Sequence, residues 1–187
     1  MRRFLMPALM ISLLLTGCGD GGAEERLKAQ REKLSTAEEI TFAADITADL
    51  GSEVFDCTLD CAWTPEELTV QVTAPESITG VCTRFRDGEA VLEFGDVSLG
   101  IGAALPEGLS PVAAVPLLTD ALRSGFLRRV WRERDAEREL LAAEVYVTDA
   151  AALTMWFDAE TLTPLHGEFY RDGQMILRCE IRDFTFR

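Results

Sequence analysis

The side chains that could perform acid–base chemistry in this sequence are few. His166 is the only histidine among 187 residues, which excludes a metal site with two histidine ligands and an HExxH zinc motif. A serine triad needs a base that faces a nucleophile and is held by a third group, and the sequence contains no G-x-S-x-G motif. We therefore interpret His166, which alternates with Leu165 and Gly167, as a surface histidine. The sequence predicts no catalytic residue.

Carboxylates are the second group of side chains that could perform chemistry. Asp56 and Asp60 lie on the polar face of one predicted strand, and Asp45 and Asp49 are placed similarly on the strand before it. Such pairs can act in acid–base catalysis or bind calcium through their oxygens, but no EF-hand spacing accompanies them. We predict a solvated acidic outer face, with weak calcium binding as the alternative, and therefore neither a metal ion nor a cofactor.

The cysteines Cys57 and Cys61 have the C-x₃-C spacing of some metal sites. On a strand, however, they would share one face about 13 Å apart, since the rise is ~3.3 Å per residue. Cα atoms more than about 7 Å apart cannot be joined by a disulfide. We expect Cys57, Cys61, Cys82 and Cys179 to be buried free thiols. A disulfide from Cys82 to Cys57 or Cys61 is the alternative, as in many exported proteins.

Cys18 stands in a different context, at the end of an N-terminal apolar run. Arg2 and Arg3 precede the run Phe4–Leu15, which is too short to span a bilayer, because a spanning helix needs about 20 residues. The run ends in Leu15-Thr16-Gly17-Cys18. This ending resembles the lipobox of bacterial lipoproteins, in which the cysteine receives a diacylglyceryl group and becomes the new N-terminus.

The lipobox resemblance implies a division of the chain and a location. We expect residues 1–17 to be a cleaved signal peptide, residues 18–23 to be the lipidated Cys18 with a flexible tether, and residues 24–187 to be a single domain. Two or more acyl chains hold a protein stably at a bilayer. The predicted location is the extracytoplasmic face of the cell membrane, with the lipid anchor, palmitate included, as the attachment.

Arginines cluster between residues 123 and 138, where acidic residues are interleaved with them. Cross-strand ion pairs on an exposed hairpin would explain this pattern. The functional alternative is a patch of Arg128, Arg129 and Arg132 that docks an envelope protein partner, an anionic polymer or a lipid headgroup.

The overall composition narrows the class of protein further. The formal net charge is −14, and 48% of the residues are hydrophobic. This apolar content is enough for a packed core. An acidic chain is poorly suited to nucleic acid, whose phosphates need an excess of lysine and arginine. We therefore expect a globular domain that does not bind nucleic acid.

The hydrophobic periodicity predicts one helix followed by a long run of strands. A narrow stripe of Leu27, Arg31 and Leu34 marks an amphipathic helix over Ala23–Glu39, and the period changes to two from Ile40 onward. A helical segment over Pro111–Ser124 interrupts the strands, and we expect Pro116 to divide it into two short helices. Nine or ten strands follow from the pattern. One is predicted to start at Ser77, and the segment from Leu127, which also suits a helix, is favoured as a strand. Asp87-Gly88 and Asp172-Gly173 are expected to be two-residue hairpin turns. The predicted fold class is α+β, dominated by a large antiparallel sheet.

This order of elements resembles the LolA/LolB-type lipoprotein carriers. The segment from Leu109-Ser110-Pro111 to Gly125 is similar to their lid, and the stretches Met155–Leu165 and Asp183–Phe186 resemble carrier-like lipoproteins of spore-forming bacteria, including germination lipoproteins that are partners of a spore-cortex amidase. The resemblance implies an open, curved half-barrel whose mouth is covered by an N-terminal helix and a mid-chain helical lid. No catalytic motif accompanies it, so the chain is not expected to be an enzyme.

Two functions follow as hypotheses. The first is a membrane-anchored protein that binds an apolar ligand or lipid in the half-barrel groove. The second is a non-catalytic module that supports a cell-envelope or spore-cortex enzyme, in which case the concave face is a filled core with the Val115–Leu122 helix packed on it. The residues predicted to line the groove are Phe42, Phe55, Leu59, Trp63, Phe94, Leu118, Met155, Phe157 and Phe169.

Overall fold

A computed structural model of the chain describes residues 21–49, 51, 53–103, 110–136, 138–148 and 151–187. Within them the chain forms two α-helices, one short 3₁₀ helix (Glu76–Ile78) and eleven strands. The helices are α1 (Gly21–Ser35) and α2 (Pro111–Arg123). The strands are β1 (Ile40–Asp49), β2 (Val54–Trp63), β3 (Leu68–Ala74), β4 (Cys82–Arg86), β5 (Glu89–Phe94), β6 (Val97–Ala103), β7 (Leu127–Asp135), β8 (Arg138–Tyr146), β9 (Ala151–Asp158), β10 (Pro164–Arg171) and β11 (Gln174–Phe186).

All eleven strands belong to one antiparallel sheet with the order β6-β5-β4-β3-β2-β1-β11-β10-β9-β8-β7. The first and last strands are hydrogen-bonded in the middle of the sheet, where Ile40 pairs with Phe186 and Ile46 with Cys179. The sheet is open, with β6 and β7 as its two edges. The predicted class, an α+β half-barrel with an N-terminal helix and a mid-chain helix, is confirmed.

Two tight hairpins fix the register where the sequence predicted them. Asp87 and Gly88 join β4 to β5 with φ values of 53° and 81°, and Asp172 and Gly173 join β10 to β11 with 51° and 79°. Two consecutive positive φ angles match the right-handed twist of the flanking strands, and Asp-Gly tolerates them at low cost. These local turns set which residues of each strand share a face.

The core lies on the concave face of the sheet. In β1 the buried residues Ile40, Phe42, Ala44 and Ile46 alternate with more exposed ones, because successive side chains on a strand point to opposite faces. The convex face carries the acidic residues Asp45, Asp49, Asp56 and Asp60, of which Asp45 is paired with Arg182 at 2.7 Å. The predicted acidic outer face is confirmed.

Helix α1 packs its predicted stripe, Leu27, Arg31 and Leu34, against this core. The helix begins at Gly21, and Ala23 is already buried. The helix thus includes the last three residues of the range 18–23, and the predicted division of the chain at Cys18 stays a prediction. None of the helices in the described part of the chain has the length and apolarity needed to cross a bilayer.

Helix α2 is one continuous helix, so the predicted break at Pro116 is wrong. Ser110 caps its start by accepting a hydrogen bond from the N–H of Ala113 at 3.2 Å, and Pro111 occupies the first turn. An interior proline costs about 3 kcal/mol. The buried side chains of Val115, Leu118 and Leu122 contribute about 1.5–3 kcal/mol each, and this exceeds the cost.

Two smaller predictions can also be compared with the structure. The ambiguous segment after Gly125 is strand β7, as favoured, and it pairs with β8. The strand predicted from Ser77 starts only at Cys82, because Glu76–Ile78 forms a 3₁₀ turn after Pro75. Proline at φ −74° is compatible with such a helical start.

Candidate functional site

Most of the residues predicted to line a groove are packed inside the core. Six of the nine are buried members of the single hydrophobic cluster beneath the helices, namely Phe42, Leu59, Leu118, Met155, Phe157 and Phe169. Phe55 and Trp63 are partly buried against that cluster. Phe94 lies apart, half exposed at the end of β5. In this conformation side chains fill the concave face under α2.

The packing of α2 on the sheet is tight at its centre. Gly167 of β10 lies beneath Leu118, and a Cβ atom placed on Gly167 would be 3.0 Å from Leu118 Cδ1 and 3.3 Å from Leu153 Cδ1. The absence of a side chain at Gly167 thus lets the helix approach the sheet closely. Leu118 is the side chain by which α2 closes the middle of the half-barrel.

One buried guanidinium connects the two helices. Arg31 of α1 donates from Nε to the carbonyl oxygen of Ala121 at 3.1 Å and from Nη2 to the carbonyl oxygen of Gly125. Burial lowers the pKa of Arg31, and the negative charge of Asp120 opposes that shift. Arginine remains charged in proteins, so a cation sits beside the C-terminal carbonyls of α2, where the helix dipole favours it.

An open cleft of about 520 Å³ borders α2 at one end of the sheet. It lies between the helix and the turns that join β2 to β3 and β4 to β5. The large apolar side chains in its lining are those of Trp63, Leu68, Phe85 and Leu117. Leu68 is also a member of the core cluster, so the cleft borders the apolar interior under α2.

Charged groups form the rim of this cleft. The guanidinium of Arg123 lies 3.5 Å from the centre of the Trp63 ring, a cation–π contact. Glu67 accepts hydrogen bonds from Arg84 at 2.9 Å and from Arg86 at 3.0 Å. An apolar floor with charged groups at the mouth suits a ligand with an apolar chain and a polar end.

Of the four large apolar side chains in the cleft, only Trp63 was predicted from the sequence as a groove residue, and Leu68, Phe85 and Leu117 were not. Leu117 lies beside the apolar stripe formed by Val115, Leu118 and Leu122. An apolar residue outside the core-facing stripe of an amphipathic helix could have indicated this second apolar surface from the sequence. Leu68 and Phe85 gave no such signal, because the cleft arises where two separate turns meet α2.

His166 has a structural environment on the convex face. Its ring stacks on Trp156 with centroids 4.5 Å apart, and Trp156 Nε1 donates to Glu133 at 2.6 Å. Burial between these groups lowers the pKa of His166. In the ranges that the structure describes, no group of three histidine, cysteine or acidic side chains is arranged to hold a metal ion.

The four cysteines from Cys57 to Cys179 are unpaired in the structure, and Cys57, Cys61 and Cys179 are buried on the concave face. Burial raises the pKa of the Cys57 thiol to about 11 and that of Cys179 to about 12. The pKa of Cys61 is raised still further for the same reason. Neutral thiols are poor nucleophiles and poor metal ligands, so these residues serve as apolar core groups.

The predicted arginine patch lies on strand β7, where acidic residues of β8 pair with it. Arg128 and Arg129 both approach Glu144, at 3.6 and 3.2 Å. Arg132 approaches Glu139 at 3.6 Å. The expected cross-strand ion pairs are thus confirmed. Docking by the patch stays a prediction, and a partner would have to compete with these carboxylates. Cys18 lies outside the described residues.

Comparison with known proteins gives a match at the level of fold. No protein-family model matches the sequence, and no curated protein matches it significantly. Among solved structures, a domain assigned as an outer membrane lipoprotein-sorting protein from Vibrio parahaemolyticus is 13% identical, with a TM-score of 0.53, over 88% of this chain and 93% of that one. An uncharacterized conserved protein from Thermus thermophilus is 14% identical, with a TM-score of 0.52, over 88% of each chain.

A LolA superfamily protein from Nitrosomonas europaea is also similar, at 13% identity and a TM-score of 0.50, over 88% of this chain and 93% of that one. Identities this low show a shared fold and nothing finer. The fold is that of the LolA-like, lipoprotein-sorting proteins, as the sequence resemblance implied. The finer likeness to germination lipoproteins stays a prediction.

Proposed function

We propose that this protein is a lipoprotein, anchored at the extracytoplasmic face of the cell membrane, that binds a lipid or another ligand with an apolar chain. The cleft beside α2 is the observation that supports this function. Its volume of about 520 Å³ falls in the range of about 300–1,000 Å³ that small-molecule sites occupy. Trp63, Leu68, Phe85 and Leu117 provide the apolar surface, and no catalytic step is part of the proposal.

In this proposal α2 acts as a lid. An apolar chain enters at the cleft and moves along the concave face as α2 lifts, so that contacts made by Leu118 are replaced by contacts with the ligand. Each buried CH₂ group of the chain contributes about 0.8 kcal/mol. This gain can offset the loss of the helix–sheet contacts, because one apolar surface replaces another.

Attachment to the membrane follows in the proposal from lipidation of Cys18. The formal charge of the chain is −14, so an anionic bilayer surface would repel it. The acyl chains must therefore supply the attachment. Because α1 begins at Gly21, three residues after Cys18, the domain would be held close to the bilayer.

Ligand binding is tested on the chain from Gly19 onward, which lacks Cys18. We expect saturable binding of an acyl-chain fluorophore. Leu117→Arg should weaken binding by at least about tenfold, because a charge is placed on the apolar lining. Val54→Arg is the matched control, since Val54 is exposed at the opposite end of β2. If the parent chain shows neither saturable binding nor co-purified lipid, ligand binding is rejected.

Attachment is tested separately by Cys18→Ala in the full chain. We expect the variant to leave the membrane fraction or to remain unprocessed. If the variant is processed and retained at the membrane like the parent, the lipid-anchor proposal is wrong.

The second candidate is a non-catalytic module that supports an envelope enzyme. The filled core under α2 favours it, because six predicted groove residues are already buried by other side chains. For this candidate, replacing Arg128, Arg129 and Arg132 with glutamate should reduce capture of an envelope protein while the fold is retained. Capture that is unchanged at low salt would exclude the patch as its docking site.

A further inference from the structure

Acidic side chains dominate the rim of the cleft beside α2. Among the described residues that line it, five are acidic and two are arginines. The acidic residues are Glu66, Glu67, Asp87, Glu89 and Asp120. Within the described part of the chain only Glu67 of these five forms ion pairs, with Arg84 and Arg86. The mouth of the cleft therefore carries a negative charge, which attracts cations and repels anions.

The Trp63 ring in the lining already holds a cation. The guanidinium of Arg123 lies 3.5 Å from the ring centroid, and Phe85 is a second aromatic side chain of the lining. Aromatic rings attract cations to their faces, and such rings are common recognition elements for quaternary ammonium groups. The cleft thus combines aromatic side chains and carboxylates, the two kinds of group that bind an ammonium ion.

Apart from the ring, Arg123 is held weakly. Its Nη2 donates to the carbonyl oxygen of Ser35 at 3.4 Å, which is long for a hydrogen bond. Its Nε is buried without a hydrogen-bond partner, and this arrangement costs free energy. Burial lowers the pKa of Arg123, and the negative charge of Asp120 opposes that shift. The Trp63 ring is therefore the main partner of this guanidinium, and another cation can take its place there.

We infer that the ligand of this cleft carries an ammonium group at its polar end, and that this group replaces Arg123 on the Trp63 ring. The inference rests on the proposed ligand site and names the chemical class of its ligand, a cationic amphiphile. The apolar chain contacts Leu68 and Leu117, and the carboxylates of the rim balance the charge of the ammonium group. Both parts of the ligand thus meet a matching surface.

Replacement of Arg123 also frees the end of α2. Arg123 is the last residue of that helix, and its contact with Trp63 joins the helix to β2. Binding of the cation therefore releases the proposed lid at the side where the apolar chain enters. An anionic headgroup would act in the opposite way, because it would bind the guanidinium. The two classes of ligand are distinguished by the effect of removing Arg123.

The first test compares amphiphiles of equal chain length on the chain from Gly19 onward. Dodecyltrimethylammonium, dodecanoate and monododecanoylglycerol are used, below their micelle concentrations, to displace the acyl-chain fluorophore. We expect the ammonium compound to bind at least about tenfold more tightly than dodecanoate at low salt. Salt should reduce this difference, because it screens the rim. Equal affinities of the two charged compounds would overturn the inference.

Two triple variants separate the rim from the general charge of the chain. The rim variant carries Glu66→Gln, Asp87→Asn and Glu89→Gln, and it should bind the ammonium compound at least about tenfold more weakly. The control variant removes the same charge at exposed positions outside the cleft, with Glu53→Gln, Asp60→Asn and Asp96→Asn. Its effect should be much smaller. Equal effects would assign the attraction to the net charge of −14 and would contradict a specific site.

Arg123 and Trp63 give a readout in opposite directions. Arg123→Gln removes the competing cation and should tighten binding of the ammonium compound at least about threefold, whereas Trp63→Leu should weaken it at least about fivefold. Trp63→Leu should change binding of monododecanoylglycerol less, because leucine keeps the lining apolar. Circular dichroism checks that both variants are folded. Weaker binding of the ammonium compound by Arg123→Gln would overturn the inference.

These measurements also distinguish the two proposals for the cleft. If none of the three amphiphiles binds, the proposed ligand site fails together with this inference. If monododecanoylglycerol binds and the ammonium compound binds no more tightly than dodecanoate, only the inference of a cationic ligand fails.

Discussion

Arg31 donates a hydrogen bond from Nε to the carbonyl oxygen of Ala121 at 3.1 Å, and this contact joins α1 to the last turn of α2. The last carbonyls of a helix have no partner within the helix. The guanidinium of Arg31 satisfies one of them, that of Ala121, and its second acceptor is the carbonyl oxygen of Gly125, two residues beyond the end of the helix. The N-terminal helix, which lies next to the predicted anchor, is thereby connected to the proposed lid.

Replacing Arg31 with leucine should therefore lower the free energy of unfolding by about 1–3 kcal/mol, because buried carbonyl oxygens lose their donor. Arg31→Lys should lose less, since it keeps the charge but not the planar fork of donors. Urea unfolding of both variants measures the difference. Equal stability of parent and Arg31→Leu would show that water replaces the guanidinium without cost.

Two glycines that pack closely against α2 should respond differently to replacement by alanine. At Gly125 a Cβ would be 2.8 Å from Val145 Cγ1 and 3.1 Å from the Cα of Ala121, and the latter is backbone that cannot rotate away. We expect Gly125→Ala to destabilise by about 1–3 kcal/mol, as other overpacked sites do. At Gly167 the near atoms are ends of leucine side chains, so Gly167→Ala should cost less. Thermal unfolding of the two variants tests the order, and the reverse order would contradict it.

The thiols should differ in reactivity in the order of their burial. In the native chain from Gly19 onward, we expect Cys82, which is half-buried, to react first with a thiol reagent at pH 8. Cys57, with a pKa raised to about 11, and the other two buried cysteines should react only after unfolding. Mass spectrometry after timed alkylation measures this. Fewer than four reactive thiols after unfolding without reductant would reveal a disulfide.

Asp158 should make the fold sensitive to acid. Its carboxylate accepts hydrogen bonds from the N–H groups of Thr161 at 2.8 Å and Glu160 at 3.1 Å, and also from Arg138. These hydrogen bonds, of which the one from the Thr161 N–H has the largest effect, lower the pKa of the Asp158 carboxyl from 3.8 to about 2. Because the folded-state pKa lies below the unfolded value, this stabilisation is present above about pH 4 and is lost as the pH falls through 2.

Replacing Asp158 with asparagine should accordingly lower stability at pH 7 and flatten its dependence on pH below 4. Urea midpoints measured between pH 2 and pH 7 give this dependence. Asp96→Asn, at an exposed turn position, is the control and should leave the dependence as in the parent. A profile of Asp158→Asn that is parallel to that of the parent would assign the acid sensitivity to other groups.

The local features of the fold could be predicted from the sequence because they depend on neighbouring residues. Alternation in β1 and β2 follows from the two-residue period of a strand. The turns at Asp87-Gly88 and Asp172-Gly173 follow from the backbone freedom that their positive φ angles require. The cap at Ser110 and the apolar stripe of α1 likewise depend only on residues that are close together in the sequence. The large antiparallel sheet followed from the sum of these patterns.

Only the tertiary structure decided the features that join distant segments. Pro116 stays inside one helix because the sheet buries Val115, Leu118 and Leu122, a contribution that no local rule contains. The cleft combines Trp63 and Phe85 with Leu117, which lie on two strands and a helix. Whether an apolar residue becomes core, cleft or edge depends on what covers it. Phe42 and Phe94 show this, because both occupy strands and only Phe42 lies beneath the helices.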